Sequence, residues 1–335
     1  MSRRSSDIGI TGVGIVSPAG WGFPAMLNCL NDNKPIEEIV HKDKVSGRVF
    51  LHREVPSPDK TSSILRNPRL RRTSPVSRYL TAAAFEALGE EKLEQIASNN
   101  FRLGIVVSCY TGCVNFSQRF YQEVLDDPVT ASPIIFPETV FNAPSSHLSA
   151  LIGSSDLNYT LVGDESQFLS ALEVGVNWIL DDELDAVLVA AGEESNWLSA
   201  DALSIFKKNP ALAEGACALL LERCDNPMAK IDIITDRLNY SSTIPRAETL
   251  NAMRAQLPDG GISDVLLEGI NEGSLWDDFS GKRLNVRDIM GEGFGVSVGW
   301  SCAVAAGLID SGKFNSAIVS GSGMDQSCAS LVLGS

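Results

Sequence analysis

Between Asn158 and Leu172 the chain reads Asn-Tyr-Thr-Leu-Val-Gly-Asp-Glu-Ser-Gln-Phe-Leu-Ser-Ala-Leu: a short apolar strand, a turn at Gly163 and the start of a helix. Such a turn lifts one side chain into a pocket at the positive end of a helix dipole. A chain that uses it for covalent catalysis carries Ser or Cys there. This one offers Gly163, Asp164 and Glu165, followed by Ser166. The same layout also serves as an ordinary strand–turn–helix of an α/β protein, so the turn has to be read with the rest of the chain.

At 335 residues the chain has room for two domains of about 150 residues each. Apolar residues make up 44 % and charged residues 21 %, enough to build a large core. The charge balance, 27 Lys and Arg against 42 Asp and Glu, leaves −15. That argues against DNA or RNA as a partner, since phosphate binding needs clustered cations, and against an anionic membrane surface. No apolar run reaches the roughly 18 residues of a membrane span. The start, Met-Ser-Arg-Arg-Ser-Ser-Asp, leads into a Gly-rich strand and not into a signal core, so the expected location is cytoplasmic.

The seven cysteines are scattered and odd in number, which argues against a disulfide framework. Cys109 and Cys113 lack a second Cys or His pair at ligand spacing, and the histidines are only His41, His52 and His147. No metal is expected. Gly12-x-Gly14 follows a strand but lacks a third glycine, and Pro18 interrupts the next helix, so no nucleotide cofactor is expected either.

Along the chain, Ile8–Pro18 reads as a strand and a turn, and Phe23–Leu30 as a helix. Residues 34–75 form a charged, Pro-rich surface excursion. Arg66, Arg69, Arg71, Arg72 and Arg78 make its end the one basic cluster in an acidic chain. The cluster is either a solvated loop or a docking patch for an acidic partner. Tyr79–Ala97 has helical periodicity, Phe101–Ser108 is a strand, Thr111-Gly112 a turn and Asn115–Leu125 a helix. A Pro-rich loop from Ser132 runs to a helix start at Ser145-Ser146. After the turn come a helix at 166–180 and strands at Ala186–Ala191 and Cys217–Leu221. The alternation then restarts: strand Ile231–Tyr240, helix Ala247–Gln256, strand Ile262–Leu267, a Gly-rich turn and helix from Gly293 to Ile309, and strands Asn315–Ser320 and Cys328–Leu333. Strands alternating with helices in two halves predict α/β layers.

Several of these segments, in the same order, resemble the β-ketoacyl synthases of the thiolase-like superfamily. Ile10–Gly20 is similar to that family's opening Ile-Thr-Gly-x-Gly-x-Val-Ser-Pro-x-Gly. The Ser132–Leu151 segment resembles its Ser-Pro…Pro…Asn…Ser…Gly stretch, and Glu214-Gly215-Ala216 its Glu-Gly-Ala turn. The resemblance implies two duplicated halves, 1–223 and 224–335, stacked in five layers, α-β-α-β-α. The excursion 34–75 and the material between the halves are trimmed relative to the family.

Tyr159-Thr160 and Leu169–Leu172 then place Glu165 where the family carries its nucleophilic Cys. Of its two imidazoles, the Gly-His-Thr-x-Gly turn maps onto Gly295–Gly299 with Val296 at the His, and the other onto Gly269 or a neighbour. No histidine follows His147, so both imidazoles are absent whatever the alignment. A condensing reaction needs the thiol and the imidazoles; no catalytic residue is therefore expected. Met324 stands at the gating Phe of the terminal loop.

A chain of this kind resembles the chain-length factors of type II polyketide and polyene systems, with related roles in fatty acid synthesis. That resemblance implies a heterodimer with an active ketosynthase, loaded by an acyl carrier protein. Phe136, Phe141, Asn142, His147, Tyr159 and Phe168 become candidates for tunnel or interface, and the arginine cluster for carrier docking. The shorter length, and Glu in place of Gln at the elbow, leave a different subgroup open. Two other readings stand beside it: an enzyme of the same fold with atypical chemistry, using for example Cys109, and a homodimeric acyl-binding or regulatory protein.

Overall fold

The computed structural model describes residues 7–44, 46–58, 62–163, 165–206, 211–258, 261, 263–268 and 275–335. Two five-stranded arrays share one design. The first comprises β1 (Ile8–Ser17), β2 (Leu103–Cys109), β3 (Asn158–Val162), β4 (Ala186–Glu193) and β5 (Gly215–Arg223), ordered β3-β2-β4-β5-β1. The second comprises β6 (Ala229–Ile234), β7 (Val265–Glu268), β8 (Lys282–Leu284), β9 (Ser316–Ser322) and β10 (Ser327–Gly334), ordered β8-β7-β9-β10-β6. In both, the second strand pairs parallel with the third and fourth, and the fifth runs antiparallel between the fourth and the first. The arrays meet where β1 pairs with β6, at Gly9↔Lys230 and Ile10↔Ala229.

The helices are α1 (Phe23–Asp32), α2 (Pro75–Ala97), α3 (Val114–Asp126), α4 (Ala143–Ile152), α5 (Glu165–Leu180), α6 (Trp197–Ser204), α7 (Arg246–Arg254), α8 (Val286–Met290) and α9 (Gly295–Asp310). α5 and α9 pack on each other and against strands of both arrays, while α2 with α4 covers one outer face and α7 the other. This is the expected duplicated α-β-α-β-α stack.

Sequence explains the central layer. Every residue from Gly295 to Ile309 is buried, as a helix apolar on all sides must be. Its small residues permit close approach: a Cβ on Gly299 would lie 3.0 Å from the Cys217 Cβ. The parallel pair β2 and β4 is buried along its whole length, which matches its unbroken apolar runs. β3, by contrast, is an edge strand, and Tyr159 and Val162 are each 51 % exposed.

Three features depart from the sequence reading. The 34–75 excursion contains a hairpin, Ile39–Lys42 against Val49–Arg53, extended by Leu212–Ala213. These runs are too short for alternation to mark them as strands. β8 was not visible because three residues carry no periodicity. α2 is broken at Gly89 (φ 64°, ψ 174°), a left-handed conformation that glycine adopts readily. Among the described residues no helix is long and apolar enough to cross a membrane.

Candidate functional site

The elbow turns β3 into α5, and Glu165 is the first residue of the helix, its carboxylate at the positive end of the dipole. Its side chain is only 5 % exposed and pairs with the guanidinium of Arg287, itself 13 % exposed. The Ser322 amide at the end of β9 also donates to Glu165 Oε2 (3.3 Å). Here the two halves touch closely: a Cβ on Gly321 would sit 3.4 Å from the Glu165 backbone.

Arg287 belongs to α8, whose N-terminus is capped by Asn285 accepting from the Asp288 amide. Its guanidinium also approaches Glu292 Oε2 (3.5 Å), so one cation, its side chain 13 % exposed, lies between two buried carboxylates. Burial works against the Arg287 charge, but the fields of Glu165 and then Glu292 outweigh it and hold its pKa above the usual arginine value.

Glu292 sits in the turn Gly291–Phe294 before α9. Gly291 has φ +100°, and a Cβ there would lie 3.1 Å from the Ala211 carbonyl oxygen. Glu292 accepts from the Phe294 amide (3.1 Å). Phe294 is buried at φ +49°, a left-handed conformation uncommon for a bulky residue. Its ring lies 4.9 Å from that of Tyr110, and Met324, Phe50, Leu203 and Leu212 join the same apolar cluster. The cluster is joined to the triad at Glu292, which accepts from the Phe294 amide.

Val296, the sequence candidate for the second imidazole position, lies in the first turn of α9 with its side chain in the apolar core. The same Gly-x-x-x-Gly spacing also reads from Gly291 to Gly295, one turn earlier, with Glu292 in second place. That register meets Glu165, through Arg287. Periodicity alone could not choose between the two, because both precede or begin the same helix. Gly269 lies outside the described residues.

The proposed tunnel residues do not converge. Phe168 is fully buried in the core shared by α5 and α9. Phe136 and Phe141 are 57 % and 44 % exposed, and Phe141 packs over Gly112. Tyr159 stacks edge-on against Trp178 (5.0 Å). Asn142 caps α4 without a side-chain bond, and His147 Nε2 lies 2.9 Å from both Glu138 oxygens. α4 is tied to β3 by Ser145 Oγ to Thr160 Oγ1 (2.9 Å) and by Asn158 donating to the Ser145 carbonyl (3.1 Å). Phe136, Phe141 and Tyr159 are therefore exposed aromatics, Phe136 packed on Phe120 (5.4 Å), and Met324 packs against the Phe294 cluster.

Two kinds of side chain near the site could in principle be nucleophiles, a serine pair and buried thiols. Ser166 Oγ lies 2.5 Å from Ser327 Oγ and accepts from Arg237 Nε (2.9 Å), while Ser327 Oγ donates to Asp325 Oδ1 (2.5 Å), a carboxylate that Arg237 holds as an ion pair. The thiols of Cys109, Cys113 and Cys302 are buried, and burial pushes each well above the ordinary value, which suppresses the thiolate. Among the described residues no group of three or more His, Cys, Asp or Glu can hold a metal.

Arg66, Arg69, Arg71, Arg72 and Arg78 are all exposed, on two short 3-10 turns and the start of α2. Of these, Arg66 lines an open cavity of about 890 Å³ together with Trp21, Leu65, Phe85 and Leu93.

The family model described as Beta-ketoacyl synthase, N-terminal domain, matches residues 5–225. No curated protein sequence matches the chain. Among solved structures, the chain is similar to the ishigamide ketosynthase/chain length factor (16 % identity, TM-score 0.81, covering 98 % of this chain and 99 % of that one). It is similar to a type II PKS acyl-carrier protein complex with its ketosynthase bound to the hexaketide (17 %, TM-score 0.76, 100 % and 99 %). It also resembles a ketosynthase in complex with its chain length factor from Xenorhabdus doucetiae (14 %, TM-score 0.77, 98 % and 98 %). At such identities the likeness establishes a shared fold.

Proposed function

This chain belongs to the β-ketoacyl synthase family, and from that premise we propose that it is a non-catalytic, chain-length-factor-like subunit that pairs with an intact ketosynthase. The observation that carries the reading is the ion pair of Glu165 with Arg287. The elbow position is occupied by a carboxylate locked to a buried cation. A paired carboxylate at a helix N-terminus is neither a nucleophile for a thioester nor a base of useful strength. Val296, the sequence candidate for the second imidazole position, is apolar and buried, and Glu292 one turn earlier is a carboxylate beside Arg287, so neither register supplies an imidazole. Condensation chemistry then has to come from a partner that keeps the thiol and both imidazoles.

Two surfaces support pairing. The edge strand β3 has an outer side that no described strand pairs with, and it exposes Tyr159 and Val162. An edge of this kind invites strand addition by another chain. The exposed arginines offer a second surface, complementary to an acidic acyl carrier protein in a chain that otherwise repels one. The halves 1–223 and 224–335 act as one scaffold, working in the cytoplasm in polyketide or fatty acid synthesis.

Co-expression with an intact β-ketoacyl synthase from the same genome tests this. A stable 1:1 complex with condensing activity, and none from this chain alone, is expected. A soluble homodimer that ignores the synthase, or elongation by the isolated chain, would overturn it.

A further inference from the structure

Away from the Glu165–Arg287–Glu292 triad, three carboxylates are buried at the end of β4 and the approach to β5: Glu193, Glu194 and Glu214. Their hydrogen bonds come from different parts of the chain. Glu193 accepts from the amides of Tyr110 and Thr111 (Thr111 N to Oε2, 3.1 Å) and from the Thr111 hydroxyl (2.5 Å). Glu194 accepts from the Asn115 amide (2.8 Å), the Ser74 hydroxyl (2.5 Å) and the Val76 amide (3.3 Å). Glu214 accepts from the Tyr79 hydroxyl (2.9 Å) and from the amides of Val55 and Ser195 (3.3 Å each). The trio thus joins the segment 110–115, whose Tyr110 packs on Phe294, to the start of α2, which carries Arg78.

We propose that Glu193 and Glu194 form a proton-controlled bracket: protonated, they hold the segment 110–115 against the start of α2; ionised, they loosen both. The inference does not depend on which partner the chain has.

The balance of effects favours it. Burial is the largest influence on both groups and pushes each up to about 7, against hydrogen bonds that act the other way. Each carboxylate also opposes ionisation of its neighbour: Glu194 acts on Glu193, and Glu214 on Glu194. Among the described residues, the other titratable groups acting on the trio or acted on by it are Tyr79, Glu54, Cys113 with Glu138 behind it, and Cys109. Burial holds Tyr79 and both thiols neutral through the neutral range, and Glu138 is engaged by His147. None supplies a cation to Glu193 or Glu194.

The sign follows from linkage. Both folded-state values lie above the ordinary 4.5. The bracket is therefore at full strength below that value, weakens as pH rises towards about 7, and changes no further above it. Within that window each carboxyl favours opening by about tenfold per pH unit.

Amide hydrogen exchange on the full chain, corrected for intrinsic exchange, tests it at Tyr110, Thr111, Asn115 and Val76. Protection at these amides is expected to fall about tenfold or more per pH unit across the window, and to fall much less in Glu193→Gln and Glu194→Gln. Identical pH profiles in parent and variants would overturn the proposal. If the variants do not fold, carboxyl-carbon NMR titration of the parent decides: titration of both groups near neutrality supports the bracket, and titration of both near the ordinary carboxylate value sinks it.

Discussion

Arg287 and Glu165 form an ion pair across the two halves, with side chains 13 % and 5 % exposed. One comes from α8 of the second array and the other from the first residue of α5. A buried pair is often no more stable than apolar side chains in its place, but removing one partner strands the other. Its place at the elbow gives it meaning as a plug.

That logic sets the first prediction. Glu165→Gln leaves Arg287 with Glu292 at 3.5 Å as its remaining ion-pair partner among the described residues and is expected to cost about 3 kcal/mol in urea unfolding. Glu165→Met combined with Arg287→Met is expected to recover most of it. Single changes that leave the unfolding midpoint unmoved would show the pair to be incidental.

Glu165→Cys is expected to gain no condensing activity in the isolated chain, because no histidine follows His147. Detectable elongation of an acyl thioester by this variant would break the assignment of the imidazole positions.

At the exposed edge, Tyr159→Asp or Val162→Asp places a charge on a surface already 51 % open to water. Little change in melting temperature is expected, since surface substitutions fall within about 0.5 kcal/mol. Co-purification with an intact synthase should drop at least about tenfold, the effect of a charge desolvated at an interface. Retention of the complex by both variants would exclude β3 from it.

Arg69→Glu with Arg72→Glu reverses two exposed charges of the cluster. Binding of an acyl carrier protein should weaken about tenfold at low salt, with the difference fading as ionic strength rises. Equal affinity at low salt would leave the arginines as a solvated face.

Alkylation separates the plug from a hidden nucleophile. Cys224 is the exposed cysteine, whereas burial raises Cys109, Cys113, Cys217 and Cys302, and lifts Cys328 to about 11. Iodoacetamide at mildly alkaline pH should modify Cys224 first and Cys109 at least about tenfold more slowly. Rapid labelling of Cys109 would reopen the reading in which that thiol does chemistry.

The elements were largely legible because their causes are local. Unbroken apolar runs gave β2 and β4, helical periodicity gave α2 and α3, and the Gly-rich, Ala-rich stretch before Ile309 gave the buried α9. β8 and the hairpin at 39–53 were not legible, since short strands exist only by virtue of what they pair with.

The site divides in the same way. Composition and order alone determined that the elbow lacks a thiol and that the second half has no imidazole, because absence needs no geometry. What fills the gap was decided only when the halves came together. Arg287 and Glu292 lie more than a hundred residues from Glu165 in sequence, and a charged side chain in a sequence carries no sign of whether it will meet water or an opposite charge. Burial made that choice: once the elbow and the turn before α9 were both removed from solvent, two carboxylates there needed a cation, and Arg287 is the one the fold brings between them.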